Sequence, residues 1–415
     1  MSEPTPLQRR LGTGDAVAIG LGAMIGAGVF SAFAPAAAAA GAGLLVGLAV
    51  AAVVAYCNAT SSAQLAAQYP TSGGTYVYGR ERLGPWWGFV AGWGFVIGKT
   101  ASCAAMALTF AAYAVPEPWR RRPVAVAAVL ALTAVNYRGI TRTARLARII
   151  VALVLVALAV AVTASWAGPG AQPADPFGPV GGGAYGVLQA AGLLFFAFAG
   201  YARIATLGEE VREPRRTIPR AIVGALGFVV LLYAVVGVTL LACLGPDRVA
   251  SSSAPLLDAV RAGGWAWAAP VVVAGAAVAS LGALLALVTG VGRTALAMAR
   301  QGDLPRPLAA VHPRFAVPHR AELAVAAVVC LLVATVDLRG VIGFSSFGVL
   351  VYYLVANLSA FTQRDEHRRY PRFLQVIGAV GCVALTLTLP PGAVGVGAAV
   401  LAVGVLARAT RRAVP

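Results

Sequence analysis

The constraint that dominates this chain is a succession of long apolar runs, separated by short connections that carry most of its arginines. A helix rises about 1.5 Å per residue, so roughly 20 apolar residues cross a hydrocarbon core of about 30 Å. Runs of that kind lie at 14–39, 43–67, 85–114, 123–136, 146–166, 184–205, 220–244, 265–298, 321–336, 341–361, 372–389 and 391–408. The run at 123–136 is short for a span. Lipid offers no hydrogen-bond partner to a free backbone group, so each run is expected to be a helix. The chain therefore reads as an all-α integral membrane protein with about twelve transmembrane helices.

Composition excludes the soluble alternatives. Of 415 residues, 59% are hydrophobic and 11% charged, against about 25% charged in soluble domains. The 48 glycines suit close helix approach in a membrane. The net charge of +17 does not mark a nucleic-acid binder, because the basic residues are scattered between apolar runs and form no single solvated patch. They instead encode orientation. With twelve spans, both termini lie on one side. Twenty-four arginines fall on that side, and only Arg120, Arg121, Arg122, Arg248, Arg261 and Arg339 on the other. The positive-inside rule then makes both termini cytoplasmic.

The five cysteines all fall in apolar stretches without a CxxC pair or a nearby histidine, and read as small buried hydrophobes. The polar, basic N-terminus (Glu3, Arg9, Arg10) precedes an apolar run without a small-residue cleavage context, so that run is expected to be a retained span.

Two spans look internally weak. The first contains Gly20, Gly22, Gly26 and Gly28, with Pro35 following, and each glycine costs a helix about 1 kcal/mol relative to alanine. A packing face built on Gly22 and Gly26 is one reading. Unwinding beside a wet cavity is the other. In that case freed N–H groups suit a carboxylate and freed carbonyls an ammonium. The sixth span runs Gly192 to Arg203, with Gly200 near mid-depth beside Phe195, Phe196, Phe198 and Tyr201. Glycine-interrupted segments at matching places in two halves point to a transporter site.

Three segments resemble the amino acid–polyamine–organocation permeases. Gly22-Ala23-Met24-Ile25-Gly26-Ala27-Gly28-Val29-Phe30 matches that family's G-x-x-I-G-x-G-[IV]-F, and Tyr69 to Tyr78 is similar to its Y-P-x-[SA]-G-G-x-Y-x-[YF] loop. Phe195 through Gly200 to the stretch Glu209–Arg220 resembles its sixth span and the E-E-x-x-x-P-x-R-x-[IM]-P that follows. The segment Ala254 to Val260 is similar as well.

The resemblance implies a LeuT-like fold of inverted five-helix repeats plus two peripheral helices, with spans one and six broken. The divisions are 1–13 as a cytoplasmic N-terminus, 14–166 and 167–361 as the repeats, and 362–415 as the last two spans and a cytoplasmic C-terminus. It also implies that a substrate α-carboxylate meets the backbone of Gly26, Ala27 and Gly28. The α-amine would meet carbonyls around Ile25, Phe196, Ala197 and Ala199, with Phe196 or Phe198 as a gate. The expected location is the bacterial cytoplasmic membrane. The lipid bilayer and an amino acid are the expected partners, and no cofactor is implied beyond a coupling proton.

Two basic residues sit within spans. Lys99, the chain's single lysine, lies midway along the third, and Arg203 follows the sixth-span break. Charges at such depth are functional hypotheses, at a cost of about 2.5–3.5 kcal/mol. Lys99 is a candidate proton carrier, a lock on carbonyls or helix dipoles, or a substrate contact. Proton-coupled relatives place a lysine in span five, where this chain has Val154 or a close neighbour. Arg203 is expected to snorkel toward the interface. Residues 209–220 are expected to form an ionic latch through Glu209, Glu210 and Arg212 to Arg220, and Pro214 and Pro219 to stop a helix. Ser280, Thr289, Ser345 and Ser346 are oxygens that a sodium ion would need.

The apolar sixth-span walls, and the absence of a mid-span carboxylate, favour neutral amino acids. An exchanger, an exporter and a transporter-like sensor are the alternatives. His312, His319 and His367 lie in expected loops without an HExxH or GxSxG pattern, which argues against an enzyme. No repeated filter segment or ring of charge suggests a channel.

Overall fold

A computed structural model describes residues 11–70, 73–139, 144–207 and 210–413. Among these residues all regular structure is helical apart from two isolated β-bridges. In chain order the helices are α1 (Thr13–Met24), α2 (Ala27–Ser31), α3 (Phe33–Ala40), α4 (Leu44–Gln68), α5 (Gly74–Leu83) and α6 (Pro85–Ala114). Next come α7 (Pro118–Tyr137), α8 (Ala144–Ala167), α9 (Gly183–Phe198), α10 (Ala202–Ala205), α11 (Pro214–Leu244) and α12 (Pro246–Ser251). The last six are α13 (Pro255–Gly263), α14 (Ala268–Arg300), α15 (His319–Thr335), α16 (Leu338–Phe361), α17 (Arg372–Thr388) and α18 (Pro391–Ala413).

Every apolar run coincides with one of these helices or with a consecutive set of them. Among the described residues, nine helical stretches are long and apolar enough to cross a membrane. The other three runs fall on α7, α15 and α17. The α7 helix has 20 residues and carries Arg120, Arg121 and Arg122 near its start, while α15 and α17 have 17 residues each. Pro214 and Pro219 do not stop a helix. Pro214 opens α11 at its first position, where a missing N–H costs nothing, and Pro219 lies inside it.

Helix packing has a regular pattern. The α4 helix packs on α9 and α1 on α11, while α6 packs on α16 and α14 on α8. The same correspondence links α6–α7 with α14–α15, α6–α15 with α14–α7, and α1–α8 with α9–α16. Even the short helices follow it, since α5 packs on α6 and α16 and α13 packs on α14 and α8. Glycines set the closest of these contacts. A Cβ at Gly348 of α16 would lie 2.6 Å from the Gly94 carbonyl oxygen of α6, and one at Gly98 would lie 3.0 Å from that of Ser345. The Ser102 and Ser345 hydroxyls then share a hydrogen bond of 2.7 Å across the same seam.

One end of the bundle is rich in arginine and is tied by polar contacts. Asp303, just beyond α14, is fully buried. It accepts from Arg408 Nε of α18 at 2.7 Å, from Tyr76 Oη of α5 at 2.8 Å and from Arg80 of α5 at 3.2 Å. Burial, and then the Asp303 carboxylate, push the Tyr76 hydroxyl above its usual range, which keeps it a donor. The Arg408 guanidinium also lies over the Trp86 and Phe89 rings at 4.3 and 4.9 Å and donates to the Pro85 carbonyl at 3.0 Å. Asp303 therefore holds three parts of the chain together. Removing one partner from a buried charge network costs about 3–5 kcal/mol, because the other charges stay buried. Asp303→Asn is accordingly expected to lower the thermal unfolding midpoint in detergent, with the exposed Arg216→Gln as an unaffected control.

Candidate substrate site at the crossing of spans one and six

The first span is interrupted where its glycines cluster. The α1 helix ends at Met24, Ile25 and Gly26 lie outside any helix, and α2 begins at Ala27. The leading amides of a helix lack partners within it, and here those belong to Ala27, Gly28 and Val29. Ile25, Gly26, Ala27 and Gly28 are all buried. The sixth span behaves differently from the expectation. The chain tightens into a 3₁₀ turn at Ala199–Tyr201 between α9 and α10 and does not unwind. A single glycine, Gly200, needs only a narrower turn, whereas the first span has two glycines flanking Ala27.

The two segments cross at reciprocal glycines. A Cβ at Gly28 would lie 2.6 Å from both the Cα and Cβ of Ala197, and one at Gly200 would lie 2.4 Å from the Ala23 carbonyl. No side chain fits either place, because the obstacle is the partner's backbone. Gly26 instead faces Ala283 of α14, and Gly22 faces Val151 of α8. These glycines therefore serve close packing as well as the break.

Side chains from neighbouring helices donate to carbonyls of both segments. Tyr233 Oη of α11 lies 2.7 Å from the Met24 oxygen and 3.1 Å from that of Ala197. Lys99 Nζ of α6 donates to the Ala199 oxygen at 3.1 Å, and Tyr353 Oη of α16 donates to the same atom at 3.3 Å. The Ala199 carbonyl thus meets two side-chain donors and the Ala197 carbonyl one. Toward the end opposite the arginines, Tyr113 Oη donates to the Phe30 oxygen at 2.9 Å and accepts from the Leu256 amide at 3.3 Å.

Lys99 is buried and reaches out of its own helix to the sixth span. Phe198 is fully buried against Tyr233, with ring centroids 5.1 Å apart, while Phe196 keeps 7% of its surface accessible. The two aromatic positions are thus unequal, and the Phe198 ring is committed to α11. Tyr201 stacks on Tyr353 at 4.9 Å, and its hydroxyl has no partner among the described residues. Sequence reasoning overlooked Tyr113, Tyr233 and Tyr353. The available signal was a phenol placed within an apolar run, since a buried tyrosine hydroxyl seeks an acceptor.

The remaining expectations resolve individually. Ser280 and Ser346 have buried hydroxyls without partners among the described residues, Ser345 is bonded to Ser102, and Thr289 donates to the Leu285 carbonyl. Arg203 is half-buried and donates to Thr206 at 3.5 Å. Glu209 lies outside the described residues, as do Arg9, Arg10, Ser72 and Arg142. In the expected ionic latch, the ion pair seen is an exposed one between Glu213 and Arg216 at 3.9 Å. The segment is instead held by backbone: the Leu11 amide donates to the Glu210 carbonyl at 3.0 Å, and the Arg212 amide to that of Leu11 at 2.9 Å. Cys382 does more than fill space, since its thiol donates to Asn58 at 3.4 Å. No group of three or more potential metal ligands occurs among the described residues. A cavity of about 890 Å³ lies away from the crossing, between α6, α15, α16 and α18, lined almost wholly by apolar side chains.

Comparison with known proteins agrees with this geometry. The family described as "Amino acid permease" matches residues 11–409. The chain belongs to that family. It is 62% identical over 409 residues to an uncharacterized transporter of Mycobacterium tuberculosis, covering 99% of this chain and 92% of the relative. The branched-chain amino acid permease BcaP of Bacillus subtilis is 28% identical over 394 residues, covering 90% and 84%. A methylthioribose transporter of the same species is 26% identical over 391 residues, covering 88% and 83%. This permease is thus a membrane transport protein whose two glycine-bearing segments cross at Gly28 and Gly200.

Because backbone blocks a Cβ at Gly28 and at Gly200, Gly28→Ala and Gly200→Ala are each expected to reduce substrate uptake by about tenfold or more, on the scale of a lost 1.4 kcal/mol. Gly224→Ala, where nothing lies within 4 Å of an added Cβ, is expected to leave uptake unchanged. Radiolabelled uptake in cells, corrected for membrane expression, makes the comparison.

Proposed function

We propose that this permease moves neutral amino acids across a bacterial cytoplasmic membrane by alternating access, with twelve spans, both termini cytoplasmic and proton coupling. The observation that carries the reading is the crossing of spans one and six. There the α2 amides stand ready for a carboxylate, beside carbonyls of the same two segments. Ile25, Gly26, Ala27 and Gly28 take the substrate's backbone groups, together with Phe196, Ala197 and Ala199. The engagement of Ala197 by Tyr233 and of Ala199 by Lys99 and Tyr353 makes Ile25, which lies outside any helix, the better acceptor for an ammonium in this conformation. Apolar walls suit a neutral side chain, in keeping with the name of the Bacillus permease.

The packing pattern supports inverted repeats, 14–166 and 167–361. Exchanging each helix for the one five spans later maps contacts onto contacts, including α5 onto α13. Those two short helices sit at opposite ends of the bundle, as an inversion requires. The arginine distribution supports a cytoplasmic arginine-rich end. The conformation is consistent with one gate shut, since Tyr113 ties Phe30 to Leu256 and α2 is wholly buried. On the other side of the break, α1 is half-exposed along much of its length. Phe196 is positioned better than Phe198 to close over a substrate.

Lys99 is the proposed proton carrier. As an ammonium it joins α6 to the sixth span through Ala199, and loss of its proton weakens that tie. A second reading, uncoupled exchange, is favoured by the same contact if it serves only as a lock.

Proteoliposomes loaded with buffer and given radiolabelled L-leucine, L-isoleucine and L-valine are expected to accumulate label under an inward proton gradient. Lys99→Ala is expected to retain counterflow and lose accumulation. Accumulation that survives the substitution would make Lys99 a lock. Counterflow without gradient-driven accumulation in the wild type would identify an exchanger. No flux of any amino acid would sink the assignment in favour of another substrate or a sensor.

A further inference from the structure

A buried acid outside the crossing is unaccounted for. Glu322, in the first turn of α15, keeps only 1% of its surface, and neither carboxylate oxygen has a hydrogen-bond partner among the described residues. Its side chain fills a notch in α14. A Cβ at Gly292 would lie 2.7 Å from Glu322 Cγ, so only glycine leaves room for it. The next residue, Arg293, is exposed, and it is the charged side chain that acts electrostatically on the carboxylate without forming an ion pair.

The other elements packed on α15 offer little. The α7 helix ends on Tyr137, followed by Arg138, the turn at Arg306–Ala309 carries an exposed Arg306, and α15 itself has His319 and exposed Arg320. On α6 the charged residue is Lys99, committed to Ala199. None of these is bonded to a Glu322 oxygen. Burying an ionised carboxylate without partners is costly, while a helix N-terminus and a nearby guanidinium favour the anion. Burial therefore favours the neutral acid, while Arg293 and the helix terminus oppose it. A purely packing role needs no acid in the notch, since glutamine has the same shape.

We propose, resting on the proton-coupled reading above, that Glu322 is a second proton site of this permease. It exchanges protons with the arginine-rich end, and Arg293 holds the carboxylate once the proton has left. In loading, a hydronium ion gives its proton to the carboxylate and leaves a water molecule. Release is the reverse. Arg203 extends the cationic surface from α14 to the moving sixth span, since Arg203 and Arg293 act on each other electrostatically.

The test uses the full chain in proteoliposomes, with L-leucine, L-isoleucine and L-valine as probes. With a pH gradient of about one unit, one-to-one coupling supports ~10-fold accumulation, since a pH unit is worth about 1.4 kcal/mol. Glu322→Gln is expected to keep counterflow near the wild-type rate while accumulation falls to the equilibrium ratio. An entrapped pH dye should no longer report substrate-driven acidification. Accumulation by Glu322→Gln equal to the wild type would overturn the proposal and leave the coupled reading intact. Counterflow without accumulation in the wild type would defeat coupling as a whole, and this proposal with it. Should the glutamine variant fail to fold, infrared titration of the wild type and of Glu322→Asp decides: a protonated-acid band that shifts in the aspartate variant supports the site, and its absence or indifference to the substitution refutes it.

Discussion

A backbone carbonyl released from a helix inside a bilayer has no water to bind, and leaving it bare costs several kcal/mol. The architecture of this permease follows from how that cost is avoided. Spans one and six leave the ideal α-helix within their length. Carbonyls beside these irregularities are met by side chains from helices that themselves stay regular. Tyr233 covers Met24 and Ala197, Lys99 and Tyr353 cover Ala199, and Tyr113 covers Phe30. A phenol is well suited to the task, because its ring packs as a hydrophobe and only its hydroxyl is polar.

The same economy explains the distribution of charge. Arginine is nearly absent from the spans and concentrates at one end, where Asp303 gathers Arg80, Arg408 and Tyr76 into a buried knot. That knot joins α5, the region after α14, and the last helix. The short helix α5, which follows Gly73, is therefore fixed to the scaffold, and Tyr78 ties it to the sixth span as well, donating to the Ala205 carbonyl at 3.4 Å. At the other end, α13 is fixed by backbone contact with Tyr113. The short helices α5 and α13 thus have corresponding packing partners, while their polar contacts differ in chemistry.

Glycine has distinct uses here that sequence does not separate. At positions 28 and 200 the missing side chain lets two backbones touch, and at 94, 98 and 348 it draws α6 against α16. At 292 it makes room for an acid from the next helix. Only the partner distinguishes these roles.

What the sequence determined by itself was the solvent and, through it, the secondary structure. A chain this apolar must lie in lipid, lipid enforces helices, and the apolar runs mark where they are. Even the interruption at Ile25 and Gly26 was legible, because glycines weaken a helix locally. The tertiary structure decided everything that depends on which helices become neighbours. That Lys99 finds an acceptor a hundred residues away at Ala199, that Phe198 is committed to Tyr233, and that Asp303 anchors Arg408 all require the packed bundle. The segment from Glu210 to Arg212 is held by backbone to Leu11 where its charges suggested ion pairs. Local propensity acts over a few residues and leaves a pattern along the chain. Partnership between distant side chains leaves none, because any apolar helix face can pack on many others until the whole bundle selects one.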